Sequence, residues 1–194
     1  ANPQDSSITV RYYINNAGNN SVRINGHSSA AITVPTNITG TFKYDLISAE
    51  YLSSPACSST GITGTTTMTV IAPPVPVISG SKVVCAGSTG NTYTTEAGMT
   101  NYVWAVSTGG TITSGGTSAS NSVTITWNSP GSRNVSVNYQ NSNGCSAPVS
   151  TTCNVTVNPN PVPTITGSTS VCAGSTGKVY STQSGMTNYL WTIS

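Results

Sequence analysis

The segment GSKVVCAGSTGNTYTTEAGMTNYVWAVS at 80–107 returns as GSTSVCAGSTGKVYSTQSGMTNYLWTIS at 167–194. The two align without a gap, Cys85 on Cys172, Tyr93 on Tyr180 and Trp104 on Trp191, at an offset of 87 residues. The match starts at Pro74 and Pro161, and about two-thirds of its positions are identical. A fixed period marks a tandem array in which one folded unit is copied along the chain. Solenoid repeats run about 20–50 residues, so a period this long predicts a small self-contained domain instead. Three segments follow: an older unit at 1–73, one complete unit at 74–159, and the N-terminal part of a further unit at 160–194. The expectation is of a window on a longer polypeptide, with the last residue falling mid-unit.

The pattern inside the period is that of strands. In NYVWAVS, Tyr102, Trp104 and Val106 share one face, and in SVTITWN so do Val123, Ile125 and Trp127. RNVSVNY aligns Val135, Val137 and Tyr139; TTCNVTVN aligns Cys153, Val155 and Val157. Thr, Ser and Asn fill the alternate positions, as in strands with one buried and one wet face. The turns STGG, TSGG, NSPG and NSNG lie between them, with Gly and Asn to supply positive φ. Seven short strands are predicted, at 75–80, 90–96, 101–107, 110–113, 121–127, 133–140 and 151–157. Such spacing predicts a β-sandwich with Trp104, Trp127, Tyr102, Val135, Val137 and Tyr139 in its core. The first unit gives the same signal in SSITVRYYI, SVRI, AAITVPT, GTFKYDLISAEYL and GTTTMTVI, with Phe42, Tyr44 and Leu46 alternating inward. It lacks a counterpart of the first strand or two, and its PACSSTGITGTTTMTV parallels NGCSAPVSTTCNVTV. The fold class is therefore all-β: tandem immunoglobulin-like antiparallel sandwiches in a linear array. The joints IAPPVPVI and NPNPVPTI are proline-rich, which makes a stiffer connector than Gly/Ser and also blocks edge pairing.

Charge narrows the function classes. Only 5% of the residues are charged, against a usual quarter, and the net charge is +2. The basic residues Arg11, Arg23, Lys43, Lys82, Arg133 and Lys178 are scattered, whereas a nucleic-acid surface needs them clustered. No apolar run is long enough to span a bilayer as a helix.

Catalytic and metal chemistry find little to work with. His27 is the one imidazole and stands beside turn residues. A Ser–His–acid triad would need it beside Asp5, Asp45, Glu50 or Glu96, and no GxSxG elbow frames a serine. The acids lack the DxD-type clustering of a calcium loop and the facing pair of a glycosidase, and alternation turns Asp45 away from the Tyr44 face. AGSTG is a turn between strands, since a phosphate loop would lead into a helix. The sequons at Asn19, Asn37, Asn134 and Asn154 are ordinary in so Asn- and Thr-rich a chain. No catalytic, cofactor or metal residue is assigned, and no enzyme activity is expected.

Cysteine is the sharper feature. Cys85 recurs as Cys172, and Cys57 and Cys145 each precede the final strand of a unit. No CxxC pair exists for zinc, so an oxidising extracytoplasmic compartment is the simpler reading. A within-unit Cys85–Cys145 disulfide is the first expectation. A staple from Cys85 to the late cysteine of the next unit, pairing of Cys153 with Cys145 or Cys85, and free thiols stay open.

The stretches VCAGSTGNTYTTEAGMTNYVWAVSTGGTITSGG and SVTITWNSPGSRNVSVNYQNSNGC resemble the PKD-like repeats of secreted Bacteroidota proteins. PTNITGTFKYDLISAEYLSSPACS is similar to another repeat type of the same giant proteins, and the mixture resembles the gliding-motility adhesins of flavobacteria. The resemblance covers essentially the whole chain. It implies a stalk of sandwiches, export by the type IX secretion system and exposure on the outer surface of a Gram-negative cell. The implied partners are neighbouring repeats and the outer-membrane secretion and motility machinery. The polycystin-type core carries WDFGDG where this chain reads WAVSTGG, so no property of those acids is carried over. The reading is a structural stalk; the alternative is a module whose repeats themselves bind polysaccharide, with Tyr13 and Tyr51 as its surface aromatics.

Overall fold

The computed structural model describes residues 5–52 and 57–193. Pro55 and Ala56 of the PACSST stretch lie outside them. The described chain is all-β and parts into two compact units, one built on residues up to 75 with 98–100 and 139–149, the other on 76–97, 101–138 and from 150 onward.

Residues 8–70 form one sheet of β1 (Ile8–Ile14), β2 (Ala17–Ile24), β3 (Gly40–Tyr51), β4 (Ser58–Ser59) and β5 (Thr65–Val70). Its order is β2-β1-β3-β4, with β5 on another stretch of β3. Asn15 and Asn16, at φ 53° and 60°, turn the β1–β2 hairpin in the left-handed geometry that a tight two-residue turn demands. The Asn15 side chain also accepts the Lys43 N–H at 2.8 Å, tying the turn to β3. Val10 and Tyr44 are buried, and the Tyr12 and Tyr44 rings meet at 6.4 Å. Two expectations fail here. AAITVPT at 30–36 forms no strand: Pro35 withholds a donor and almost the whole segment is exposed. Leu46 is 44% exposed, because the β1–β3 register slips between Arg11 and Tyr12 and breaks the simple alternation.

The repeat unit has seven strands: β6 (Val83–Cys85), β7 (Asn91–Thr94), β8 (Thr100–Val106), β9 (Gly110–Gly115), β10 (Ser122–Trp127), β11 (Gly131–Gln140) and β12 (Thr151–Asn158). They make a three-stranded sheet, β7-β10-β9, and a four-stranded sheet, β6-β12-β11-β8. Along β10 every second residue is buried, ending at Trp127, and β11 and β12 bury Val135, Val137, Tyr139, Cys153, Val155 and Val157 the same way. Tyr93, Tyr102 and Trp104 are buried from β7 and β8. These inward faces give the two sheets of the sandwich one apolar core.

The strand predicted at 75–80 is absent. Pro74 and Pro76 cannot donate to a ladder, and the segment keeps a single bridge, Ser79 to Thr94. The Val77 N–H goes instead to the Glu96 carboxylate at 3.2 Å. The first strand is the short β6, which runs parallel to β12 with Val84 opposite Val157. It is the one parallel pair among the ladders described.

Segment 160–193 repeats the sequence of 73–106 but forms only the bridge Thr166 to Ser181. Strand β7 is held by β10, and β6 by β12. Counterparts of β10 and β12 do not occur in 160–193, so its alternating residues have no ladder to join.

Trp127 is fully buried. Trp127→Ala is expected to cost about 3–5 kcal/mol, the usual range for a buried Trp cut to Ala. Urea unfolding followed by far-ultraviolet circular dichroism measures it; a loss under about 1 kcal/mol would mean the two sheets do not close on this ring.

Candidate functional site

Asp5, Asp45 and Glu50 each face a basic side chain. His27 Nε2 lies 2.6 Å from Asp5 Oδ1, with both side chains largely in water. His27 sits in a turn at φ 52°, and no serine hydroxyl is among its described partners. Arg11 reaches Glu50 at 3.0 Å across the β1–β3 pair. On β3, Asp45 accepts Thr65 Oγ1 at 2.7 Å and the Lys43 ammonium at 2.9 Å. The Thr65 hydrogen bond, then that of Lys43, holds its carboxyl below the usual value of 3.8. Among the described residues no three His, Cys, Asp or Glu converge as a metal site. The Tyr44 hydroxyl, on the opposite side of the strand from Asp45, is buried without a partner among the described residues.

Glu96 is engaged differently. Its carboxylate accepts the Val77 N–H and, at 2.6 Å, the Thr95 hydroxyl, while Tyr102 Oη donates to its main-chain oxygen at 2.7 Å. The clip fastens the proline-rich joint to the turn between β7 and β8. In the next copy the position is Gln183, and the bonds are reproduced atom for atom. Gln183 Oε1 accepts Thr164 N–H at 3.1 Å and Thr182 Oγ1 at 2.6 Å, and Tyr189 Oη donates to its carbonyl at 2.6 Å. A neutral amide replaces the carboxylate without changing the geometry, so the group serves as a hydrogen-bond acceptor and its charge is dispensable.

The second device is a buried relay. Trp127 Nε1 donates to Tyr93 Oη at 3.1 Å, and Tyr93 Oη donates to the Ser81 carbonyl at 2.9 Å. The rings of Tyr93 and Trp127 stand edge to face, 6.4 Å apart at 86°. Burial pushes the Tyr93 phenol above its usual 10.0, against the lowering effect of the Trp127 N–H. Gly80 must lack a side chain, since a Cβ there would come within 2.4 Å of the Tyr93 ring. Neither clip nor relay was singled out from sequence. Their signal was present in the paired tyrosines, Tyr93 with Tyr102 and Tyr180 with Tyr189, and in the Glu-for-Gln exchange between copies.

The AGSTG turn closes the end of the sandwich. Ala86 N–H donates to the Asn158 carbonyl at 2.8 Å and Gly87 N–H, at φ 77°, to the Trp127 carbonyl at 2.7 Å. One dipeptide thus joins the last residue of β12 to the last of β10.

All five cysteines are free thiols: Cys57, Cys85 and Cys172 are exposed, Cys145 is half-buried and Cys153 is buried. Cys85 and Cys145, the pair expected from sequence, both stand as free thiols. Cys85 ends β6 and is registered on Asn158, the last residue of β12. Cys145 lies in the Asn141 turn, in the loop leading to the first residue of that strand, with its N–H on Asn141 Oδ1 at 3.0 Å. Cys153 points inward from β12, with Cys57 and Cys172 likewise unbridged. Of the proposed ligand-facing aromatics, Tyr13 is exposed and Tyr51 half-buried.

The PKD-like domain family matches residues 71–155 and again 158–194, and the chain belongs to that family. No curated protein matches. Among solved structures, the chain is similar to domains 1–6 of the surface layer protein SbsC, at 16% identity and a TM-score of 0.34 over 75% of this chain and 25% of that one. It therefore spans a quarter of that chain's length. It is also similar to the fibronectin(III)-like modules of Clostridium thermocellum CbhA, at 12% identity and a TM-score of 0.31, covering 82% and 81% of the two chains.

Two outcomes test this account. The folded state holds the Tyr93 proton to higher pH than the unfolded chain. The stability this contributes is complete below about pH 10 and falls as pH rises through the raised value. The difference in urea midpoint between wild type and Tyr93→Phe is therefore expected to shrink above that pH. A pH-independent difference would separate Tyr93 from the core. His27→Ala is expected to change stability by no more than a few tenths of a kcal/mol in thermal unfolding, as for a solvated turn residue.

Proposed function

We propose that this chain is a stalk segment of a large repetitive cell-surface protein, placed outside the cell, and that its domains act as spacers. The observation that carries the reading is the copying of the Glu96 and Gln183 clips bond for bond across the 87-residue period, from Cys85 to Cys172. A unit so reproduced is selected as a building element. Its polar groups are spent on joints and turns. The proline-rich joints at 71–78 and 158–165 favour a stiff succession of units, and a strand of seven or eight residues adds about 25 Å of reach. With 5% charged residues, solubility rests on Thr, Ser and Asn, and extension is expected to be insensitive to salt. The domain limits that go with this reading are 1–73, 74–159 and 160–194.

The finer reading is an adhesin stalk of the SprB type, exported by the type IX system of a Bacteroidota-like cell and serving attachment or gliding. It rests on the resemblance of the repeat motifs.

Small-angle scattering from three consecutive complete units is expected to give a rod that lengthens by one domain per unit. A compact globule, or a flexible string without a preferred angle between units, would refute the spacer. Deleting repeats from the parent gene is expected to shorten the surface fibre and spare adhesion at its tip. Attachment falling in proportion to repeats removed, at constant reach, would favour the polysaccharide-binding reading.

A further inference from the structure

The outer edge of β12 is covered at both ends and open between them. Strand β6 lies on it from Thr156 to Asn158, and at its start Thr151 Oγ1 donates to the Pro76 carbonyl at 2.6 Å. Between these points the chain leaves the edge for the facing sheet. There Ser79 bridges Thr94, and the Ser81 carbonyl takes the Tyr93 hydroxyl. The detour leaves a slot of about 320 Å³ beside Thr152 and Asn154, lined also by Val77, Ile78 and Lys82.

The direction of the backbone bonds shows what the slot offers. Along a strand, alternate residues turn both N–H and C=O to the same edge. Thr156 N–H donates to the Lys82 carbonyl and the Asn158 carbonyl accepts Ala86 N–H, each at 2.8 Å, so the even-numbered residues of β12 face this edge. Strand β11 agrees: Asn134, opposite Asn154, gives its carbonyl to Ser107 N–H on the other side. Thr152 and Asn154 therefore present main-chain donors and acceptors in alternation to the slot, and none of the described hydrogen bonds takes up either N–H. Lys82 enters none of the described ion pairs. No acid is among the residues lining the slot, since Glu96 is engaged with the Val77 N–H and the Thr95 hydroxyl.

We propose that this slot binds one uronic acid unit of an acidic polysaccharide. Vicinal hydroxyls both give and take hydrogen bonds, which suits an edge where N–H and C=O alternate. An inorganic anion has acceptors alone and would meet the two carbonyls with repulsion. The Lys82 ammonium supplies the partner for the sugar carboxylate, and Val77 and Ile78 supply aliphatic surface for the C–H face of the ring. The volume stands at the lower end of small-ligand sites, about 300–1,000 Å³, and fits a single ring. An extended peptide needs a longer run of open edge than the one bounded by Pro76 and β6. The cation is particular to this unit: position 82 becomes Thr169 in the next copy, so the period repeats the scaffold without the charge. The inference goes beyond the spacer reading and stands without it, because it concerns one edge of one unit.

Amide proton–nitrogen correlation spectra of the 194-residue chain, titrated with trigalacturonate, test the proposal. The main-chain signals of Thr152 and Asn154 are expected to shift and saturate. Fully methyl-esterified trigalacturonate keeps the rings and loses the charge; triglutamate keeps the charge and loses the hydroxyls. Each is expected to bind at least about fivefold more weakly, as is trigalacturonate to Lys82→Thr, a loss at the upper worth of an exposed ion pair. Lys82→Thr installs the residue of the next copy and is expected to keep the thermal midpoint of the wild type. Unmoved Thr152 and Asn154 signals overturn the proposal. So does binding of the ester or of triglutamate as tight as that of trigalacturonate, or a Lys82→Thr variant that binds as the wild type does.

Discussion

The buried hydrogen bonds through the Tyr93 hydroxyl are what the repeat unit depends on. Trp127 brings an indole N–H into a core otherwise built of valine, isoleucine and aromatic rings. Unpaired, that donor would cost about 1–3 kcal/mol, enough to offset much of the gain from burying the ring. Tyr93 accepts it and donates its own O–H to the Ser81 carbonyl, on the segment that leads into β6. One phenol therefore satisfies the tryptophan and ties the β7–β10 sheet to the strand opening the facing sheet. Nearby features follow from it. Gly80 is bare because the ring lies against it, and the Lys82 carbonyl, just beyond, receives the Thr156 N–H of β12.

The alternation of Val123, Ile125 and Trp127, and of Val135, Val137 and Tyr139, was legible because a strand with one dry face needs every second residue apolar. What was not legible depends on partners distant in sequence. VPVIS and AAITVPT have strand composition, but prolines remove donors, and of the described bridges theirs is the single one from Ser79 to Thr94. Val83–Cys85 is too short to announce itself, and its parallel alignment on β12 is set by where the turn at Ala86 and Gly87 lands. The cysteine pattern leaves pairing open for the same reason. Recurrence fixes where cysteines fall along the chain, whereas a bridge depends on which end of a strand each one reaches. Scattered acids and a lone histidine were legible, but their partners were not: Asp5 meets His27 and Glu50 meets Arg11 across 22 and 39 residues of chain, and Glu96 accepts the Val77 N–H.

The exchange of Glu96 for Gln183 separates scaffold from chemistry. A carboxylate kept for acid–base work, or for a cation, would not survive replacement by an amide, which neither titrates nor carries charge. A carboxylate kept to receive an N–H and a hydroxyl survives it unchanged, because Oε1 of glutamine accepts the same two bonds. The amide adds a donor as well, to the Val162 carbonyl at 3.1 Å. In a chain so poor in charge, the few polar side chains that are placed with care hold joints and turns in position.

Residues 73–106 and 160–193 share their short-range bonds and differ in their strand pairing. Bonds between residues a few positions apart, such as the Tyr189 hydroxyl on the Gln183 carbonyl, exist in both. Bonds between strands exist only where the second half of the repeat is at hand. Pairing Val84 with Val157 closes nearly the whole unit into one loop, and contacts that distant form late because the loop entropy precedes their reward.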